Sequence, residues 1–233
     1  MTNILDHTYA LVKPQYDTLD CWVHSWPHVE RVSDNAKLVA QKEGLDYILP
    51  VISAYCHDLG RIEEEVMKSR GDSNVPPHAL LSIEPTAEVL RTIGLSGKDF
   101  GEVIEAVTVH SYRVYEGGNN VAKVLQDADK MNGFGPYGIL GAFKYFGNKD
   151  LISPEDIVEN RNNPAVLWDF CDKSLDEASP ECLKGTLRGL GFVLEWYDML
   201  HTDSAKRIIT PEYYTTKDFR RKVGKKLLAI ESK

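Results

Sequence analysis

The sequence has no apolar run that approaches the roughly 20 residues needed to span a bilayer. Its first residues, Met1-Thr2-Asn3-Ile4, carry neither the basic nor the apolar segment of a secretory signal. Strict alternation of apolar and polar residues, the mark of half-buried strands, is almost missing. There are only four cysteines, Cys21, Cys56, Cys171 and Cys182, and none stands in a CxxC spacing. That excludes a zinc ribbon or a dithiol redox motif and points to free thiols in a reducing compartment. No glycine-rich phosphate loop and no Ser or Cys nucleophile setting is present. Positive charge is short as well: 27 Lys and Arg stand against 35 Asp and Glu, for a net charge of −8. Such a chain gains little from the phosphate electrostatics that dominate nucleic-acid affinity. These absences leave a cytoplasmic protein with neither a membrane nor a nucleic acid as partner.

What is present is helical periodicity. Val29, Val32, Ala36 and Val39 make one apolar stripe, with Ser25 as N-cap, Pro27 in the first turn and Gly44 as the stop. A second helix is expected from Asp46, through Pro50 and Ile52, to His57-Asp58, with Gly60 at or just past its end. A polar loop covers 68–77. Further helices are expected at 78–93, with an irregularity at Pro85, and at 96–110, 121–132 and 136–146. Ser153-Pro154 reads as a capped start, and helices follow near 165–178, 181–201 and 211–231. The fold class is all-α. The chain reads as one domain, 1–233, with a motif-bearing core at about 20–145 and a C-terminal helical extension at about 150–233. Arg220-Arg221-Lys222 and Lys225-Lys226 read as the solvated basic face of the last helix.

The residues that carry chemistry are His and Asp. His57 and Asp58 are neighbours at the end of an apolar helix, where an unpaired carboxylate would be costly to bury. A metal ion would supply the opposite charge. Upstream stands His28, in Trp26-Pro27-His28-Val29-Glu30-Arg31-Val32, and downstream Asp127-Ala128-Asp129-Lys130. Two imidazoles and a pair of carboxylates form a mixed N/O set. It suits manganese, iron, zinc, nickel or cobalt better than magnesium. On a helix, residues two apart point about 200° from each other, so Asp127 and Asp129 should not both reach one ion. Periodicity alone does not choose between them.

The order His28, His57-Asp58, Ala128-Asp129-Lys130 resembles the HD superfamily of metal-dependent phosphohydrolases, closest to its small stand-alone hydrolases. His28-Val29-Glu30-Arg31-Val32, His57-Asp58-Leu59-Gly60-Arg61 and Gly133-Phe134-Gly135-Pro136-Tyr137-Gly138 carry the likeness, which spans roughly 20–145. One departure is His24-Ser25-Trp26-Pro27-His28, where such proteins often have aspartate in place of Ser25. The resemblance implies an HD-type helical bundle with additional C-terminal helices. It implies His28, His57, Asp58 and Asp129 as ligands of a divalent metal ion, and leaves Asp127 as a supporting or capping carboxylate. His78 and His110 lie where some HD subgroups bind substrate phosphate or a second metal.

The expected activity is phosphohydrolase: metal-activated water attacks a soluble phosphate ester, with nucleotides as the favoured class. Asp58, Asp127 and Lys130 are the catalytic candidates. Arg61, His78 and His110 are the substrate contacts, and a single tightly held ion is expected. Lys68 and Arg70 are further phosphate candidates by charge. Two alternatives come from other classes. One is a dinuclear iron oxygenase in which His78 and His110 hold a second ion. The other is a regulatory protein that binds metal or ligand without turnover.

Overall fold

The computed structural model describes residues 3–19 and 21–232. Thirteen helices and no strand occur among the described residues, so the chain is all-α. It divides into two compact units. The first takes the residues up to Asp129 together with His201–Ala205; the second takes Lys130–Leu200 and the residues from Lys206 on. The boundary falls inside a helix. That helix, Asn120–Met131, contains neither Pro nor Gly to mark a division.

The first unit is built on α1 (Ile4–Tyr16), α2 (Trp26–Lys42), α3 (Ile48–Cys56), α4 (Gly60–Ser69), α5 (His78–Leu81), α6 (Ile83–Thr92), α7 (Gly97–Val109) and the greater part of α8 (Asn120–Met131). Helix α3 is apolar nearly all round, and a helix of that kind must be enclosed. It packs against α1, α2 and α7. Val12, Tyr16, Trp26, Val29, Ile52, Cys56, Leu90, Val103 and Val107 form the core there. Each such aliphatic side chain contributes about 1.5–3 kcal/mol when fully buried. Aromatic packing fixes the start of α2: Trp26 stacks on Tyr55 at 5.8 Å and receives Tyr9 edge-on at 5.1 Å.

Several local features differ from the sequence reading. Ser25 occupies the N-cap position of α2, yet its hydroxyl donates to Trp22 O instead of capping. Gly44 ends α2 in the left-handed region, φ 70°. Helix α3 starts at Ile48, whose N–H donates to Asp46 Oδ1 at 2.9 Å. Gly60 does not end a helix but begins α4. The helix expected at 78–93 breaks at Ser82, not at Pro85. Pro85 has no N–H to donate and its ring crowds the carbonyl four residues back, so the break falls one turn upstream. Between α4 and α5, residues Lys68 to Asn74 are exposed. Helix α1 had no counterpart in the sequence reading.

The second unit holds α9 (Gly135–Tyr145), α10 (Pro154–Glu159), α11 (Pro164–Glu177), α12 (Pro180–Glu195) and most of α13 (Asp203–Glu231). Helices α10, α11 and α12 share one start signal: Ser153, Asn163 and Ser179 cap, and a proline follows. Helix α9 packs on α11 and α12. A Cβ on Gly189 would come within 2.2 Å of the Phe146 ring, so only glycine admits that contact. Helix α13 begins well before residue 211 and carries Pro211 inside it. Its basic face is matched to carboxylates of α11, Lys222 to Asp172 at 3.1 Å and Lys226 to Asp176 at 2.8 Å. None of the four cysteines forms a disulfide. No helix among the described residues is long and apolar enough to cross a membrane.

Candidate metal centre

Four imidazoles of the first unit converge on one buried carboxylate. His28 stands in the first turn of α2 and His57 is the C-cap of α3; their Nε2 atoms are 3.1 Å apart. Both face Asp58 Oδ2, at 3.7 and 3.6 Å. His78 opens α5 and His110 is the C-cap of α7; their Nε2 atoms are also 3.1 Å apart. These two face the other oxygen, Asp58 Oδ1, at 3.3 and 3.6 Å. Asp129 Oδ1 joins the first pair, 3.6 Å from His28 and 4.0 Å from His57.

The donor spacing fits divalent metal. Two nitrogens each about 2.1 Å from one ion, at 90–110°, lie about 3.0–3.4 Å apart. His28, His57 and Asp58 form one group able to hold an ion, and Asp58, His78 and His110 form another. The tautomers suit the task. His57 Nδ1 donates to Ala54 O at 2.7 Å and His110 Nδ1 donates to Val107 O at 2.6 Å, which leaves each Nε2 lone pair for a ligand.

The electrostatics agree. Burial pushes His28 well below its ordinary range, and His57 beside it adds to the effect. Burial likewise takes His78 down to about 3, against the pull of Asp58, and His24 down to about 4. These rings are therefore neutral at pH 7, the form that binds metal. For Asp58, burial acts to raise the pKa. Arg61 outweighs it, helped by the His57, His110 and His78 rings around the carboxylate, and the carboxyl is held well below the usual range.

Of the other expected residues, Arg61 is in the site: its Nε donates to Asp58 Oδ1 at 3.3 Å and its Nη1 to Glu64 Oε2 at 3.1 Å. Glu64 also pairs with the exposed Lys68, and Arg70 is exposed. Lys130 follows Asp129 on α8, is buried, and belongs to the second unit. Asp127, expected as a catalytic, supporting or capping carboxylate, turns to the segment that leads into α13. Its Oδ1 accepts His201 N–H at 2.7 Å, and its Oδ2 accepts Thr202 N–H and Oγ1–H at 2.9 and 2.7 Å. The helical turn between 127 and 129 is the reason: one carboxylate faces the imidazoles and the other faces away.

Sequence reasoning missed the support around these groups. Gln126 Nε2 donates to Val109 O and Tyr112 O, and its Oε1 accepts Tyr115 N–H, which fixes the backbone on both sides of His110. His201, without a motif of its own, donates from Nε2 to Gln126 Oε1 at 2.9 Å. Cys21 Sγ lies 3.4 Å from His24 Nδ1. The adjacent Gln126-Asp127 on an otherwise apolar stretch was the available signal, since such groups need partners once buried.

The fold has known counterparts. Over 131 residues the chain is 30% identical to YpgQ of Bacillus subtilis, an uncharacterized protein; the stretch is 54% of this chain and spans 58% of YpgQ. The crystal structure of YpgQ matches 96% of this chain and 97% of its own, with a TM-score of 0.63 at 22% identity. YpgQ has also been solved in complex with ADP. An HD-superfamily hydrolase from Bacillus thuringiensis matches 97% of each chain, with a TM-score of 0.60 at 16% identity. No family model matches. The chain therefore has the fold of HD-superfamily hydrolases.

Proposed function

We propose that this protein is a divalent-metal-dependent phosphohydrolase that cleaves soluble phosphate esters, nucleotides above all. The observation that carries the reading is the convergence of four imidazole Nε2 atoms on the two oxygens of Asp58, with the Arg61 guanidinium on the same carboxylate. His28, His57, Asp58 and Asp129 would hold the ion. When bound, a divalent ion lowers the pKa of a water and polarises a phosphoryl oxygen. The chain's own groups do the rest. Asp58 stays ionised and anchors Arg61 beside the donors. Arg61 supplies positive charge and N–H donors to phosphate oxygens. His78 and His110 would flank the phosphate. The nucleotide preference draws on the ADP complex of YpgQ, a protein of the same fold.

A second reading is favoured by one feature: each oxygen of Asp58 faces a separate histidine pair. In that reading Asp58 would serve two ions, and His78 and His110 would hold the second. A hydrolysis screen over nucleotides, sugar phosphates and simple esters, each with manganese, cobalt, iron, zinc, nickel or magnesium, tests the function. The expected result is nucleotide cleavage, faster with a transition metal than with magnesium. Intact nucleotides alongside a cleaved sugar phosphate would remove the nucleotide preference alone. No hydrolysis, with two coupled irons per chain, would favour the oxygenase.

A further inference from the structure

We infer that Ser82 is a positioning residue that sets the reach of His78 toward Asp58. The starting point is how α5 is held. It is a single turn, preceded by an exposed loop, and neither feature fixes a side chain by itself. Yet His78 Nε2 stands 3.3 Å from Asp58 Oδ1. The two segments are joined through one buried hydroxyl. Ser82 Oγ accepts Gly60 N–H at 2.8 Å and lies 2.7 Å from His57 O. Ser82 Oγ also lies 2.9 Å from His78 O, so its single proton is shared between two carbonyls, the shorter contact being to His57 O. Ser82 thus binds the main chain just before and just after Asp58, four residues beyond His78, and it is fully buried.

A second observation is independent of the hydroxyl. A Cβ built on Gly60 would come 2.2 Å from His78 O and 2.5 Å from Ser82 N. The His57-Asp58 turn and α5 therefore meet backbone to backbone, and the hydroxyl sits at that junction. Removing it would leave Gly60 N–H and His57 O without this partner and let α5 shift. His28 and Asp129 are held by α2 and α8, outside that junction, and the His57 ring has its own anchor in the Nδ1 bond to Ala54 O. The effect of Ser82 should therefore fall on the His78 side of the carboxylate.

The inference rests on the hydrolase reading and is tested apart from it. Mn(II) uptake and the affinity of the Mn(II)-loaded chain for inorganic phosphate are measured for the wild type, Ser82→Ala, His78→Ala and the double variant. Ser82→Ala should keep one Mn(II) in the His28 group and bind phosphate about tenfold more weakly, the size of effect usual for a group that orients a ligand. In the His78→Ala background the Ser82 change should add nothing, because its route of action is gone. Histidine ring NMR signals of the metal-free chain should shift for His78 in Ser82→Ala. Ser82→Cys, of similar shape but a weak donor, repeats the test if the alanine variant folds poorly. Additive losses, or unchanged phosphate affinity, with Mn(II) uptake intact would overturn the positioning role and leave the hydrolase reading standing. A wild-type chain that takes up no divalent ion would overturn both.

Discussion

The two histidine pairs are built alike and finished differently. Each combines a ring from a helix start, His28 or His78, with a ring that caps a neighbouring helix end, His57 or His110. The capping rings even share their anchoring, with Nδ1 donated to the carbonyl three residues back. Helices α3 and α7 pack together, and the His57 and His110 rings meet edge to face at 5.1 Å. The difference is Asp129, which faces only the first pair. That pair has Asp129 and one oxygen of Asp58; the second has only the other oxygen of Asp58. The more anionic set should hold a cation more tightly, and the less complete set leaves room for a phosphate oxygen. Duplicated geometry with unequal charge is how one carboxylate can serve two tasks.

The harshest way to break this comparison is at its shared member. Asp58→Ala should remove bound metal and all measurable turnover together, because both pairs lose their common oxygen donor. Elemental analysis beside an activity assay checks this, and full metal occupancy in the variant would show that Asp58 is no ligand. A smaller change separates the pairs. His78→Ala or His110→Ala should leave the first ion in place and lower turnover about a hundredfold, the size of effect for losing one polar group placed at the reacting centre. Should the variant instead drop from two ions to one, the pairs are equal and the bridged reading gains. The mildest contrast lies on α8. Asp129→Ala should abolish metal binding with little loss of fold stability. Asp127→Asn should leave metal uptake nearly intact and destabilise the metal-free chain by about 1.5–3 kcal/mol, the range for hydrogen bonds to a charged group. Urea unfolding with parallel metal titration separates the two, and the opposite ranking would reverse their roles.

The sequence made the helices and the order of donor residues legible because both are local. The stripe from Val29 to Val39 and the all-apolar α3 announce helices, and His57-Asp58 announces a charged pair that needs a partner. What escaped was non-local. Nothing near Asp127 says that the main chain of His201 and Thr202 returns to it, 74 and 75 residues later. Nothing near Pro85 says that the break will fall on Ser82, or that Ser82 will hold Gly60. Helix α4 was hidden because Gly60 reads as a stop, and only the close approach of His78 O explains a glycine at a helix start. The division between the units follows packing, which an uninterrupted α8 does not display.

The exposed loop between α4 and α5 has a practical consequence. Because the Gly60–Ser82 junction holds α4 and α5 together, the exposed residues Gly71 to Asn74 serve only to complete the path between them. Closing a longer flexible loop costs little, about 0.6 kcal/mol for each doubling of its length. The stretch Gly71-Asp72-Ser73-Asn74 is therefore a natural insertion point for an epitope or a fluorescent label. A reporter placed there would ride beside His78 without entering the cluster, and could register ligand arrival in the intact protein.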